Sequence, residues 1–438
     1  LVGEIFVPGD KSISHRSLIL GGLAIGSSHI DGLLEGEDVL ATAAAMRALG
    51  ATVEQRAPGR WQVTGNGLGG LQEPEDILDL GNSGTATRLL MGVIAGHPIT
   101  ATMTGDPSLR GRPMQRVMTP LELMGAQFVC RRGGRPPLTV TGTADGRPQS
   151  YTLPVASAQV KSAILLMGLT IAGETCVIEP HATRDHTETM LRAMGAKISV
   201  TEQHDGARHV ILTGQPELQA TDFLVPGDPS SAAFPAVAAL ITEGSDVTLK
   251  NICANPLRFG LFDTLIEMGG DITLLNQRVI GGEPITDMRV RSSQLRGIEV
   301  PAERAPSMID EYPILAIAAA HATGTTQMHG LAELRVKESD RLAATAAGLR
   351  AIGSIVDEGD AHLTVSAGGN MAGGVTIAAN LDHRMAMAFA VAGMRTARPV
   401  SIDDARTIDT SFPGFRDLMN GMGANIQGDP TGTATAAI

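Results

Sequence analysis

The sequence predicts an α/β protein of six repeated units divided between two domains, and three observations carry that reading. First, an apolar helix closed by glycine and followed by a strand recurs six times, at Gly50, Gly125, Gly195, Gly269, Gly353 and Gly423. The steps between these glycines are 75, 70, 74, 84 and 70 residues, the near-constant period of an internal repeat. Second, a set of small, aliphatic helices alternates with the glycine-closed ones. Third, Val7-Pro8-Gly9-Asp10-Lys11-Ser12 returns as Val225-Pro226-Gly227-Asp228-Pro229-Ser230, three units further on.

Each observation has a physical basis. Glycine at the end of a helix allows the left-handed residue that closes it. The second helix set is expected at Ile13–Ile25, Thr85–Ala95, Val160–Ala172, Ala232–Ile241, Ile314–Ala322 and Met385–Gly393. These helices have too few polar residues to face water, so they belong in domain cores. Several meet a turn and then a strand, as in Gly244-Ser245-Asp246-Val247-Thr248. Each unit therefore holds two helices and several short strands. Pro-Gly-Asp is turn chemistry, and its two copies read as the chain crossings between halves of three units each. Residues 1–10 with 228–438 form one domain and 11–227 the other. Ligand sites favour clefts between such domains.

Composition narrows the function. The chain of 438 residues can bury a large core, and 43% of it is hydrophobic. A net charge of −12 with one Trp and two Tyr argues against a nucleic-acid binder. Basic clusters therefore serve a small anionic ligand. Cys130, Cys176 and Cys253 lack metal-ligand spacing and suit a reducing cytosol, where they are expected to pack as small buried hydrophobes. Charges from Asp10 to Arg16 interrupt any leader-like run, and apolar runs such as Ala163–Ala172 are too short to span a bilayer. The chain opens without Met inside an expected strand, Gly3–Val7, so upstream residues are expected to be missing. The small, polar tail after about residue 427 is expected to be disordered.

The chemistry concentrates at the N-terminal ends of the apolar helices. Ser, Asp and Asn there are ordinary caps. Capping does not require Lys11, Gln159, His383 or Arg384, whereas a helix N-terminus with added cations suits phosphate or carboxylate. Lys11, Ser12 and Arg16 can reach one ligand from the first helix. Gly81-Asn82-Ser83-Gly84-Thr85 is either a tight structural turn or a loop in which Gly84 permits close backbone approach to a ligand. Leu109-Arg110-Gly111-Arg112-Pro113 offers guanidinium groups for bidentate anion contacts. Thr183-Arg184-Asp185-His186 is either a cap with local ion pairs or another phosphate contact. The run Glu333-Leu334-Arg335-Val336-Lys337-Glu338-Ser339-Asp340-Arg341 places a proton carrier beside anion holders; taken alone it also fits a solvated helix start with a Glu338–Arg341 pair. Asp310, ahead of an uncharged helix, is either a cap or a general base. No metal-ligand spacing, Rossmann fingerprint or nucleophile elbow is present.

Together, Pro8-Gly9-Asp10-Lys11-Ser12, Gly81-Asn82-Ser83-Gly84-Thr85, Arg112-Pro113, Ser157-Ala158-Gln159, Arg335–Arg341 and Asp382-His383-Arg384-Met385-Ala386 resemble the 3-phosphoshikimate 1-carboxyvinyltransferase (EPSP synthase) family. The resemblance runs from about Val2 to Ile426. It implies a two-domain inside-out α/β barrel, three βαβαββ repeats per domain and an active site in the interdomain cleft. It implies that Lys11, Ser12, Arg16, Ser157, Gln159, Arg184, Asp310 and Lys337 hold shikimate 3-phosphate. Phosphoenolpyruvate would meet Lys11, Gly84, Arg112, Gln159, Arg341 and Arg384. Asp310 would take the proton of the 5-hydroxyl, and Glu338 with Lys11 would move the methylene proton, without metal or cofactor. A cytoplasmic monomer inhibited by glyphosate, with no nucleic-acid or membrane partner, completes the expectation.

The departures point to the family's second class. Thr410 stands where many members have a lysine, Ala158 where many have serine, and Leu89 where many have proline. Gly84 is retained where glyphosate-tolerant members often carry alanine, which implies intermediate or sensitive behaviour. A sister enzyme acting on UDP-N-acetylglucosamine usually has a cysteine before the Arg-Pro, and Gly105–Arg112 has none. A non-catalytic anion binder would need neither Asp310 nor Glu338.

Overall fold

The computed structural model describes residues 1–204, 206–367 and 369–428, and the backbone of 434–437. The chain divides into two compact units. Unit I comprises Gly9–Val225 and Ile280–Glu283; unit II comprises Leu1–Pro8, Pro226–Val279 and the chain from Pro284 onward. The two main boundaries fall two residues ahead of those expected, inside the doubled Val-Pro-Gly-Asp segments. The short Ile280–Glu283 segment was expected in the other domain. Its place in unit I has a direct cause: the Glu283 carboxylate meets buried His186 Nδ1 at 2.7 Å.

Each unit contains three four-stranded sheets among the described residues. One sheet of unit I shows the common plan. Leu78–Asp79 runs parallel to Thr100–Thr104, which pairs antiparallel with Arg135–Thr141, and Gln127–Arg131 closes the hairpin. Parallel neighbours need a crossover, and the helix Gly84–Ala95 supplies it. The first sheet of each unit takes its parallel edge from the far end of that unit's chain. Phe223–Leu224 lies beside Ile25–Asp31, and Val2–Ile5 lies beside Asp246–Cys253. Because Val2–Ile5 opens the chain and its partner strand follows unit I, the chain passes between the units twice.

The crossover helices form the interior: α1 (Lys11–Leu23), α2 (Gly84–Ala95) and α3 (Ala158–Gly168) in unit I, and α4 (Pro229–Ile241), α5 (Tyr312–Ala320) and α6 (His383–Gly393) in unit II. The sheets lie outside them, so the architecture is an inside-out α/β barrel. Arg60–Asn66 shows the pattern, burying Trp61, Val63 and Gly65 and turning the alternate residues outward. In unit I, α2 and α3 pack closely because Gly92 has no side chain; a Cβ there would lie 2.3 Å from the Ala163 carbonyl oxygen.

The core helices begin earlier than their apolar runs, because polar residues end them cleanly. Asp10, Ser83, Ser157, Asp228 and Asp382 each accept a hydrogen bond from a first-turn N–H. Three helices also stop early, α5 at Ala320 rather than Ala322. α1 ends before Ile25, which pairs in a strand, and α3 ends at Gly168, short of Ala172. The six closing glycines all have positive φ, between 91° and 116°.

Two further expectations change. Cys130 is exposed, because it lies on the outer edge strand of its sheet; Cys176 is half-buried and Cys253 buried. The tail carries structure: Ala434–Ala437 pairs with both Asn425–Gly428 and Val400–Ile402. That strand supplies the partner the sixth sheet otherwise lacks. Residues 429–433 and 438 of the expected tail lie outside the described residues. No described helix is long and apolar enough to cross a membrane.

Candidate active site

The unit I residues gather at the first turns of α1, α2 and α3. Gln159, at the start of α3, accepts from Arg88 Nη1 at 2.9 Å and donates to Thr85 Oγ1 at 2.9 Å. Arg88 lies one turn into α2 and also reaches the Gly84 carbonyl at 3.3 Å. Arg112 closes over the same glycine. Its Nη2 donates to Asn82 Oδ1 at 2.5 Å and to Ser108 Oγ at 3.1 Å. A Cβ on Gly84 would lie 2.9 Å from Nη1 of both Arg88 and Arg112. Two guanidinium groups therefore converge on a helix N-terminus, a strong setting for an anion.

On α1, Lys11 Nζ meets Asp38 Oδ2 at 3.0 Å. Arg16 is only 4% exposed, and its donors reach Ser12 O at 3.0 Å, Thr187 Oγ1 at 2.7 Å and Ser162 Oγ at 2.7 Å. It braces α1 against α3 and the helix His186–Ala193. His15, between these cations, is fully buried with Nδ1 2.7 Å from Thr42 Oγ1. Burial, reinforced by Lys11 and Arg16, lowers its pKa well below the usual histidine value, so it is neutral.

Arg184 lies in a loop anchored from below by Lys161. This lysine is fully buried, with Nζ 3.0 Å from Glu179 Oε1, 2.6 Å from Glu188 Oε1 and 3.3 Å from the Thr183 carbonyl. Thr183 Oγ1 also donates to Glu179. Burial raises the Glu179 pKa, with Lys161 opposing the shift. Ser157 caps α3 through its Oγ.

The unit II residues centre on Arg341, the first residue of the helix Arg341–Ile352. It is 1% exposed and surrounded by acids. Its Nε lies 2.7 Å from Asp382 Oδ2, Nη1 3.1 Å from Asp310 Oδ1 and Nη2 2.6 Å from Glu338 Oε2. Burial alone would lower its pKa; Asp382, Glu338 and Asp310 outweigh that and hold it above the usual range. Lys337 Nζ also meets Asp310 Oδ1 at 3.1 Å. Arg384 Nη1 lies 3.4 Å from Glu311 Oε1 and 3.4 Å from the Asp310 carbonyl. Asp382 accepts from the Arg384 N–H at 3.0 Å and from Ser339 Oγ at 3.0 Å. One buried guanidinium thus grips both candidate proton carriers.

The structure therefore joins Asp310, Lys337, Glu338, Arg341 and Arg384 in one network. In unit I it joins Gly84 and Gln159 through Arg88, brings Arg112 up to Gly84, and joins Ser12 with Arg16. Lys11 pairs with Asp38. The local reading of the charged run contained a real contact, since Glu338 and Arg341 do pair at i,i+3. It missed the burial, which comes from Asp382 and Asp310. Sequence reasoning also gave no role to Arg88, Lys161 or Glu311. Arg88 and Lys161 had a usable signal: each is a charge inside an otherwise apolar helix. Glu311 had none beyond its place beside Asp310.

A family model described as EPSP synthase (3-phosphoshikimate 1-carboxyvinyltransferase) matches residues 1–419. The 3-phosphoshikimate 1-carboxyvinyltransferase of Paramagnetospirillum magneticum is 61% identical over 430 residues, covering 98% of this chain and 96% of its own length. The protein of that name from Granulibacter bethesdensis is 61% identical over 424 residues, covering 96% and 93%. Among solved structures, EPSP synthase from Acinetobacter baumannii is similar with a TM-score of 0.84 and 45% identity, over 96% of both chains. The enolpyruvyl transferase NikO from Streptomyces tendae, at 17% identity and a TM-score of 0.76 over 100% of this chain and 97% of its own, shares the fold.

Proposed function

The chain belongs to the EPSP synthase (3-phosphoshikimate 1-carboxyvinyltransferase) family, and from that premise we infer that it transfers the enolpyruvyl group of phosphoenolpyruvate to the 5-hydroxyl of shikimate 3-phosphate. The reaction is an addition followed by an elimination. The 5-oxygen bonds to C2 of phosphoenolpyruvate as C3 takes a proton, giving a tetrahedral adduct. C3 then loses a proton, the C2–O bond to phosphate breaks and the C2=C3 double bond re-forms. The products are 5-enolpyruvylshikimate 3-phosphate and inorganic phosphate.

The observation that carries the residue roles is the Arg341 node, where Asp310 and Glu338 are held by one buried cation. Asp310 takes the hydroxyl proton. Glu338 gives and recovers the C3 proton, with Lys11 as the second carrier. Lys11, Ser12, Arg16, Ser157, Gln159, Arg184, Asp310 and Lys337 hold shikimate 3-phosphate, and Arg16 also fixes Ser12. Lys11, Gly84, Arg112, Gln159, Arg341 and Arg384 serve phosphoenolpyruvate. Fixed cations stabilise the charge on the departing phosphate, and they do so without reorganising. Glyphosate competes for the phosphoenolpyruvate contacts, and the protein works as a cytoplasmic monomer.

The test is phosphate release from phosphoenolpyruvate with shikimate 3-phosphate present or omitted. Release only when both are present is the expected result. Release without shikimate 3-phosphate, or no release at all, would overturn the reading.

A further inference from the structure

Five of the six core helices are capped by their N-terminal side chain, and α5 is the exception. Glu311 occupies its cap position, yet its carboxylate accepts no hydrogen bond from the first turn. It is 3% exposed. Ser230 Oγ, at the start of α4, donates to its Oε1, and Arg384 Nη1, at the start of α6, lies 3.4 Å from the same oxygen. Ser230 is itself held by Arg258 Nη2 at 2.8 Å, and Arg258 Nη2 reaches the α4 cap Asp228 at 3.0 Å. A chain of contacts therefore runs Asp228–Arg258–Ser230–Glu311–Arg384 across the first turns of all three unit II helices. Among the described residues Glu311 Oε2 meets no hydrogen-bond donor, so this carboxylate is buried for its Oε1 contacts alone.

We propose that Glu311 is a positioning residue for phosphoenolpyruvate. It fixes where the Arg384 guanidinium points, and Ser230 with Arg258 fixes Glu311. A burial this unfavourable for a carboxylate has a physical return only if the orientation of Arg384 matters. Among the described residues Arg384 Nη1 meets only Glu311 Oε1 and the Asp310 carbonyl, each at 3.4 Å, so Glu311 supplies the one charged partner that can orient the guanidinium for bidentate recognition. Glu311 itself touches no substrate. The inference rests on the phosphoenolpyruvate role given to Arg384 above.

The test is Glu311→Gln, with Ser230→Ala as a milder second variant. Glu311→Gln should raise KM for phosphoenolpyruvate roughly tenfold, with shikimate 3-phosphate affinity within about twofold and kcat changed less than KM. Ser230→Ala should move KM the same way by about threefold. A purely structural role would instead lower thermal stability and weaken both substrates together, and that result would overturn the proposal, as would an unchanged KM. Adding Glu311→Gln to Arg384→Lys should give little further loss, since Glu311 acts only through Arg384; additive losses would count against it. Wild-type turnover separates the premises, because a wild type that consumes no phosphoenolpyruvate sinks the proposed function instead. A crystal structure of Glu311→Gln reads the positioning directly in either case: a displaced Arg384 guanidinium supports it, and an unmoved one refutes it.

Discussion

Replacing Gly84 with alanine tests the convergence of Arg88 and Arg112. The new methyl would lie 2.9 Å from Nη1 of each. Ordinary contact requires each guanidinium to retreat by about 0.5 Å. For Arg88 that movement stretches the 2.9 Å bond to Gln159 past good geometry. A charge-assisted bond contributes about 1.5–3 kcal/mol, which sets the upper range at ten- to hundredfold. Both crowding atoms are ends of flexible side chains, so the lower end applies. Gly84→Ala should cut kcat/KM for phosphoenolpyruvate about tenfold while leaving shikimate 3-phosphate binding within about twofold. The fold should tolerate the change. Gly84 starts a helix and has no positive φ, and the stiffer unfolded chain stabilises by about 0.4–1 kcal/mol. The assay is phosphate release at saturating shikimate 3-phosphate with phosphoenolpyruvate varied, paired with a thermal melt. Glyphosate inhibition should weaken at least as much as phosphoenolpyruvate binding. An unchanged KM, or equal losses for both substrates, would refute the assignment of this corner to phosphoenolpyruvate.

Asp310→Asn and Glu338→Gln should each bind both substrates but turn over about 10²-fold more slowly or worse, measured by calorimetry and phosphate release. Lys161→Met leaves Glu179 and Glu188 buried without their cation and should destabilise unit I by about 3–5 kcal/mol in urea unfolding. Asp287 supplies a pH test. Burial works against its ionised form, but the Asn251 N–H, Lys250 and Asn276 outweigh it and hold its pKa at about 2 against an ordinary 3.8. A depressed carboxyl pKa stabilises the fold above the unfolded value, and that contribution disappears as pH falls through the folded one. Asp287→Asn should therefore be less stable by about 2 kcal/mol near neutrality, less where solvent screens Lys250, and should converge with wild type by about pH 2. Parallel stability curves across that window would contradict the assignment.

The legible parts of the fold were local. A glycine after an apolar helix means one thing physically, and all six adopt the left-handed conformation that the pattern implied. Asp10, Ser83 and Ser157 cap within three residues of themselves, so their roles could be read in place. Edge strands of two residues, such as Leu78–Asp79 and Phe223–Leu224, are too short for any periodicity to show. Partner choice was hidden for a related reason. The sequence does not show that Arg16 Nη2 donates to Ser162, 146 residues away. Arg341 looked solvated beside Glu338, and Asp382, 41 residues on, is what takes it into the interior. Local chemistry is written in neighbouring residues, whereas pairing across helices depends on which N-termini the topology brings side by side.

The same distinction explains how a chain of net charge −12 can handle two anionic substrates. Much of its acidity is peripheral: the side chains of Asp222, Asp357 and Asp417 are each more than three-quarters exposed, and charges there are screened within about 8 Å at physiological salt. The site cations stand instead at helix N-termini, where free N–H groups and the helix dipole add positive potential in partly buried surroundings. Arg112 donates to Asn82 and Ser108, and Arg88 to Gln159. Lys337, Arg341 and Arg384 are each matched by a carboxylate. The unit II cations yield only to a ligand able to replace Asp310 or Glu311 as a partner. A phosphate or a carboxylate with two oxygens can do so, and a singly charged spherical ion cannot match the fork. Placement and pairing of a few cations, rather than total charge, set the preference for phosphorylated acids.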